Sequence, residues 1–191
     1  TGTIHVVALS GYNISIVAEA TMKVFSSVLP YMLSVVFGLI AVALFVILSG
    51  ASATAVRAGI MGSLMLVARL IGRPYDIGRA ICVTACIMLA FNPYLLFFDR
   101  SFQLSFIATL GVVFISPLFE KRLTYISERF GLRSIVATTL AASISVSPFL
   151  LATTGAISLI SLPINIIVVP LVPIIMLGTA LTGILGFLLR P

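Results

Sequence analysis

Seven long apolar runs, with nearly all charge confined to the gaps between them, dominate this chain. They lie approximately at Ile4 to Ala20, Val28 to Leu48, Val56 to Ile71, Ala80 to Phe98, Phe102 to Phe119, Ile135 to Thr153 and Ile157 to Leu189. A helix needs roughly 20 apolar residues to cross about 30 Å of hydrocarbon. A soluble fold would have to cover its outside with charge, yet only 8% of the residues are charged, 61% are hydrophobic and the mean hydropathy is +1.29. A membrane barrel is excluded by pattern. Its strands alternate polar and apolar over about ten residues, whereas Val28 to Leu48 is almost uniformly apolar. The expected fold is an all-α integral membrane bundle of about seven transmembrane segments, forming a single domain over residues 1 to 191.

The last run is too long for one crossing and carries Pro163, Pro170 and Pro173, each of which removes a backbone donor and disfavours helix in the residue before it. A short broken or re-entrant piece followed by a crossing is expected. The freed carbonyls and the amide of Asn165 must then face protein or a watery cavity, unless the prolines only kink a packed helix.

Basic residues flank crossings on the cytoplasmic side. Lys23, Arg69, Arg73, Arg79, Lys121, Arg122, Arg129, Arg133 and Arg190 fall on one side, and Arg57 and Arg100 on the other. The net charge of +6 therefore describes mainly cytoplasmic loops held against anionic lipid. It requires no nucleic-acid ligand.

Cys82 and Cys86 are four apart, so they share a helix face as small packing residues and have neither redox nor zinc spacing. With one histidine and no clustered carboxylates, the chain has no metal set, no catalytic triad and no implied cofactor. It reads as no enzyme. It begins at Thr1 without a signal-peptide pattern, which suggests a fragment of a longer protein.

Polar residues inside the runs are more informative. At about 100° per residue, His5, Tyr12, Ser15 and Glu19 form one stripe, and Ser101, Ser105, Thr109 and Ser116 form another. Hydroxyls can bond the preceding turn's carbonyls, so packing is their default. Gln103 lies opposite the second stripe and has no such local solution. Arg57 opens a strongly apolar helix, where a membrane cation calls for an acidic partner such as Asp99 or for an anionic ligand.

Several segments resemble a family. HVVALSGYN from His5 to Asn13 is similar to the "HLLAxSGLH" segment of the ComEC competence proteins. GASATAVRAGIM from Gly50 to Met61 resembles their "GAxxSxxRAxxM", and SFQLSFIATLG from Ser101 to Gly111 their "GFQLSFxAxLG". Gly72-Arg73-Pro74, Asn92-Pro93 and Leu162 to Asn165 with Pro170 follow in the family's order, so the resemblance covers essentially the whole chain. Asn13 stands where the family often has histidine and Ser101 replaces a common glycine. An imidazole-dependent step at position 13 is therefore not carried over.

The resemblance implies a conduit for single-stranded DNA across the bacterial cytoplasmic membrane in natural transformation, working with other competence-machinery proteins. It also implies an OB-like domain before this region and a metallo-β-lactamase-like domain, the suspected nuclease, after it. A conduit needs amide or cationic walls for phosphates and polar contacts for bases. The wall candidates are His5, Tyr12, Asn13, Arg57, Asn92, Gln103 and Asn165. The alternatives are a small-solute secondary transporter, which also uses broken helices and a membrane arginine, and a structural module holding flanking domains.

Cysteines placed at Ser127 and Tyr75 are expected to be protected from an impermeant reagent added outside, while one at Ser52 reacts. Labelling of Ser127 from outside would reverse the orientation, because its loop carries Lys121, Arg122, Arg129 and Arg133.

Overall fold

The computed structural model describes residues 11–27, 29–123, 125 and 131–155, with single positions between 164 and 186. Every regular element among them is helical: α1 Gly11–Phe25, α2 Tyr31–Leu48, α3 Ala53–Leu70, α4 Ile77–Phe91, α5 Leu95–Phe98, α6 Arg100–Arg122 and α7 Leu132–Thr154. Four of these, α2, α3, α6 and α7, are long and apolar enough to cross a membrane. The remaining large apolar side chains also fit lipid as solvent, with Phe91 88%, Leu48 85% and Phe98 79% exposed.

Helix ends are closed by local chemistry, as an apolar solvent demands. After α2 the chain makes a left-handed reversal at Gly50 (φ 81°) and Ala51 (φ 48°). Gly50 N–H donates to the Ile47 carbonyl and Ala51 N–H to that of Val46. Ser52 then caps α3 by accepting from Ala55 N–H at 3.3 Å. At the far end of α3 the same device recurs at Gly72 (φ 71°), with Arg73 N–H donating to the Ala68 carbonyl. Asp76 caps α4 and Asp99 caps α6, each accepting an amide at 3.0 Å.

Two expected spans differ from the observed helices. The first helix begins at Gly11 among the described residues and runs on to Phe25, past Lys23, instead of ending at Ala20. The Ala80 to Phe98 run is not one crossing. Pro93 disfavours helix at Asn92, which is extended (φ −149°), so α4 stops after 15 residues, about 22 Å, and α5 is a separate turn. In the proline-rich final run, Pro163, Asn165, Pro170 and Pro173 lie outside the described residues.

Helix α3 is the central strut, contacting α1, α2, α4 and α6. On one side Ala58 and Leu66 pack with Ile14, Ala18, Met22, Val35 and Val42. On the other, Val56, Ile60 and Met61 pack against Ile81, Met88, Phe102 and Phe106. Among the described elements α7 rests on α6 alone, and its buried residues are Ala137 and Ala141. That spacing continues to Ser145, opposite Gly111. A Cβ on Gly111 would lie 2.0 Å from Ser145 Oγ and 3.0 Å from the Ala141 carbonyl, so the two backbones meet through small residues. At one end of this seam the Arg133 guanidinium donates through Nε (2.6 Å) and Nη2 to the Glu120 carbonyl.

Gly111→Ala is therefore expected to destabilise the protein by about 1–3 kcal/mol and to lower its membrane abundance, with Ser145→Gly restoring part of the loss. Leu110→Ala, on an exposed position beside it, is the control. Equal thermal unfolding of Gly111→Ala and the parent in detergent would refute the close seam.

Candidate functional site: a partly buried arginine and a broken turn

Arg57 lies on α3, one turn inside its cap. Its Nε is buried with no hydrogen-bond partner, and its guanidinium carbon stands 5.9 Å from the centroid of the Phe106 ring on α6. Attraction to the ring face offsets part of the cost of burial. It gives the buried Nε no hydrogen-bond acceptor.

The expected pairing with Asp99 does not form. Asp99 spends its carboxylate on the Phe102 N–H at the start of α6, where it also opposes the positive end of the helix. The ion pairs among the described residues are Arg69–Glu19 at 3.2 Å and Arg79–Asp76 at 3.7 Å, both at exposed positions. Exposed pairs of this kind contribute about 0–1 kcal/mol.

From the basic end, the turn after α3 reaches back along that helix. Tyr75 donates its hydroxyl to the Met61 carbonyl at 3.3 Å, one turn from Arg57. Burial raises the Tyr75 pKa above its usual value, while the nearby Arg57 charge opposes that rise. The phenol therefore stays a neutral donor through the physiological range. Nothing in its sequence singled Tyr75 out, although the Gly72-Arg73-Pro74 reversal before it signalled that the chain turns back there.

The break between α4 and α6 forms the second polar feature. Asn92 accepts from Tyr94 N–H at 3.1 Å, closing a local turn. Gln103 donates from Nε2 to the Leu96 carbonyl at 2.6 Å, so it satisfies a backbone acceptor that the four-residue α5 cannot. Around this turn opens a shallow cleft of about 470 Å³ lined by Asn92, Tyr94, Leu95, Phe98, Asp99, Arg100 and Ser101. Asn92 and Gln103 thus belong to one turn, and Arg57 to the α3–α6 contact.

The other candidates are placed less closely. Tyr12 and Asn13 occupy the first turn of α1, while His5 and Asn165 lie outside the described residues. Glu19 of the first stripe is exposed and holds Arg69. In the second stripe Ser105 and Ser116 are buried, Thr109 donates to the Ser105 carbonyl, and Ser101 is exposed. Cys82 and Cys86 share a face of α4 as spacing requires, but that face is exposed, so the expected packing role is not seen.

The family described as "Competence protein" matches residues 1–191. Among curated proteins, "ComE operon protein 3" of Bacillus subtilis (strain 168) is 29% identical over 185 residues, covering 96% of this chain and 23% of that protein. The chain thus spans about a quarter of its relative's length. No solved structure matches.

Replacing Gln103 by Leu removes the donor to Leu96 and is expected to loosen the turn by about 0.5–1.5 kcal/mol. A cysteine at Tyr94 should then react faster with a maleimide. An unchanged rate would mean that the turn stands without the clasp.

Proposed function

This chain belongs to the Competence protein family, and from that premise we propose that it is the membrane-embedded part of a conduit that carries single-stranded DNA into the cell. In this reading it sits as a multi-pass bundle in the bacterial cytoplasmic membrane, with the Asn92–Asp99 turn and the Arg57 end of α3 outside. His5, Tyr12, Asn13, Arg57, Asn92, Gln103 and Asn165 contribute polar groups to the path, and the basic loops receive the emerging strand. Other parts of a longer protein, together with further competence proteins, would deliver and process the DNA. The nuclease step belongs to those parts.

The observation that carries this reading is the partly buried Arg57, whose Nε lies unpaired beside the Phe106 ring on the helix around which the bundle packs. Such a group asks for an anion, and a polyanion is the substrate to which the family points. A mainly neutral wall with isolated cationic or amide contacts suits passage, since each contact is made and released in turn. A continuous basic groove would instead hold the strand, with affinity growing at every phosphate neutralised.

A strain lacking the full gene should lose uptake of labelled single-stranded DNA and regain it with the parent gene. Asn165→Leu should reduce uptake severalfold at unchanged membrane abundance, while Ile166→Leu should not. Normal uptake in the deletion strain would refute the conduit.

A further inference from the structure

The segment joining α3 to α4 does not lie where a surface connection would. At Gly72 the chain reverses, with Arg73 N–H donating to the Ala68 carbonyl, and it then runs back along α3 without regular structure as far as Asp76. Tyr75 donates to the Met61 carbonyl at 3.3 Å, nine residues before the end of α3 at Leu70, roughly 13 Å along the axis. Three residues, Arg73 to Tyr75, can advance at most about 10 Å, so the segment is drawn out toward mid-helix and the phenol covers the remainder. Packing agrees. Ile81, near the start of α4, belongs to a cluster whose α3 members are Ala53, Val56, Ile60 and Met61, all from the half of α3 remote from Gly72. Helix α4 therefore begins level with the middle of α3. Since α3 has 18 residues, about 27 Å, close to the thickness of the hydrocarbon core, its last turn marks the boundary. Tyr75 to Arg79 lie inside it.

What the segment carries there does not suit lipid. Asp76 and Arg79 form an ion pair at 3.7 Å with side chains 55% and 89% exposed. Among the described residues, the carbonyls of Arg73, Pro74 and Tyr75 and the amides of Tyr75 and Asp76 have no hydrogen-bond partner. Unpaired backbone at membrane depth is tolerated only against protein or water. An arginine can snorkel to the surface, but an aspartate is too short to follow. The described helices leave this face open, with Gly72, Arg73, Pro74, Asp76 and Ile77 all exposed.

We propose that the Gly72–Arg79 segment walls a water-filled vestibule, which opens at the Arg69–Arg73 end of α3 and reaches inward to the Tyr75–Met61 bond. Water there solvates the ion pair and the free carbonyls. One turn short of Arg57 the vestibule ends, where the cluster of Ile81, Met88, Phe102 and Phe106 closes the interior. The vestibule stands apart from the conduit reading, because its guest is water and its walls are described without reference to DNA.

Ile40 of α2 supplies a comparison at matched depth. It is two residues from Gly38, which faces α3 so closely that an added Cβ would lie 3.2 Å from a Leu66 methyl. Ile40 is 48% exposed and Ile77 46%, so the two differ in what surrounds them and not in how far they are covered by the protein.

The test uses the full-length protein carrying Ile77→Cys or Ile40→Cys, in membranes opened so that a charged methanethiosulfonate meets both sides. Each modified peptide is identified by mass spectrometry, and its rate is scaled to that of the same protein unfolded in detergent. Ile77→Cys is expected to react about 100-fold faster than Ile40→Cys, because hydrocarbon excludes a charge by roughly that factor. If Ile77→Cys fails to accumulate, native Cys82, three residues beyond Arg79 and exposed, is compared with Ile40→Cys in its place. A probe in α4 as slow as Ile40→Cys would put lipid or protein over the segment, and Ile40→Cys as fast as that probe would put both outside the hydrocarbon. Either result overturns the vestibule. No DNA enters the assay, so normal uptake by the deletion strain would refute the conduit and leave this result standing.

Discussion

Hydrocarbon offers no hydrogen bonds, and most of the architecture follows from the need to satisfy each backbone amide and carbonyl without water. The requirement explains why the described elements are helices and why so much local chemistry gathers at their ends. Gly50 and Gly72 take left-handed conformations so that the last carbonyls of α2 and α3 find donors within the chain. Ala51 shares the first of these reversals with a positive φ, at a cost on the order of 1 kcal/mol. The bonded reversal offsets it. Where Pro93 interrupts α4, the side chains of Asn92, Asp99 and Gln103 take over bonds that a continuous helix would have made.

Between helices, lipid removes the hydrophobic drive that orders a soluble core, so close van der Waals fit must do more. Glycine provides it in two places around α3 and α6. Gly59 admits Val46 of α2 so closely that an added Cβ would fall 2.5 Å from its methyl, and Gly111 does the same for Ser145 of α7. Such seams hold helices at fixed separation without polar groups. The few polar side chains left in the interior are thereby free for other work.

Much of the fold was legible because apolar length and charge position respond directly to a bilayer. The runs from Val28 to Leu48, Val56 to Ile71, Phe102 to Phe119 and Ile135 to Thr153 each correspond to a long described helix. The run from Ala80 to Phe98 misled, since hydropathy is blind to the backbone effect of one proline at position 93. The site was harder to read. Arg57 stood out as a charge in an apolar helix, but of the two partners left open to it, an acid such as Asp99 or an anionic ligand, the acid caps a helix instead, a commitment that sequence separation does not reveal. Tyr75 had no local signal, and Ser105 belonged to a polar stripe whose default was packing. Their roles depend on a turn folding back to Met61 and on a hydroxyl that forgoes its usual carbonyl.

That forgone bond runs against the usual habit of a membrane helix. A serine in an apolar helix satisfies itself at almost no cost by rotating toward the preceding turn, and an arginine near a helix end relieves itself by snorkelling to water. Ser105 does not rotate back in this way, although Thr84, Thr109 and Ser145 do. Leaving its buried hydroxyl unsatisfied costs about 1–3 kcal/mol, which an alanine in its place would avoid.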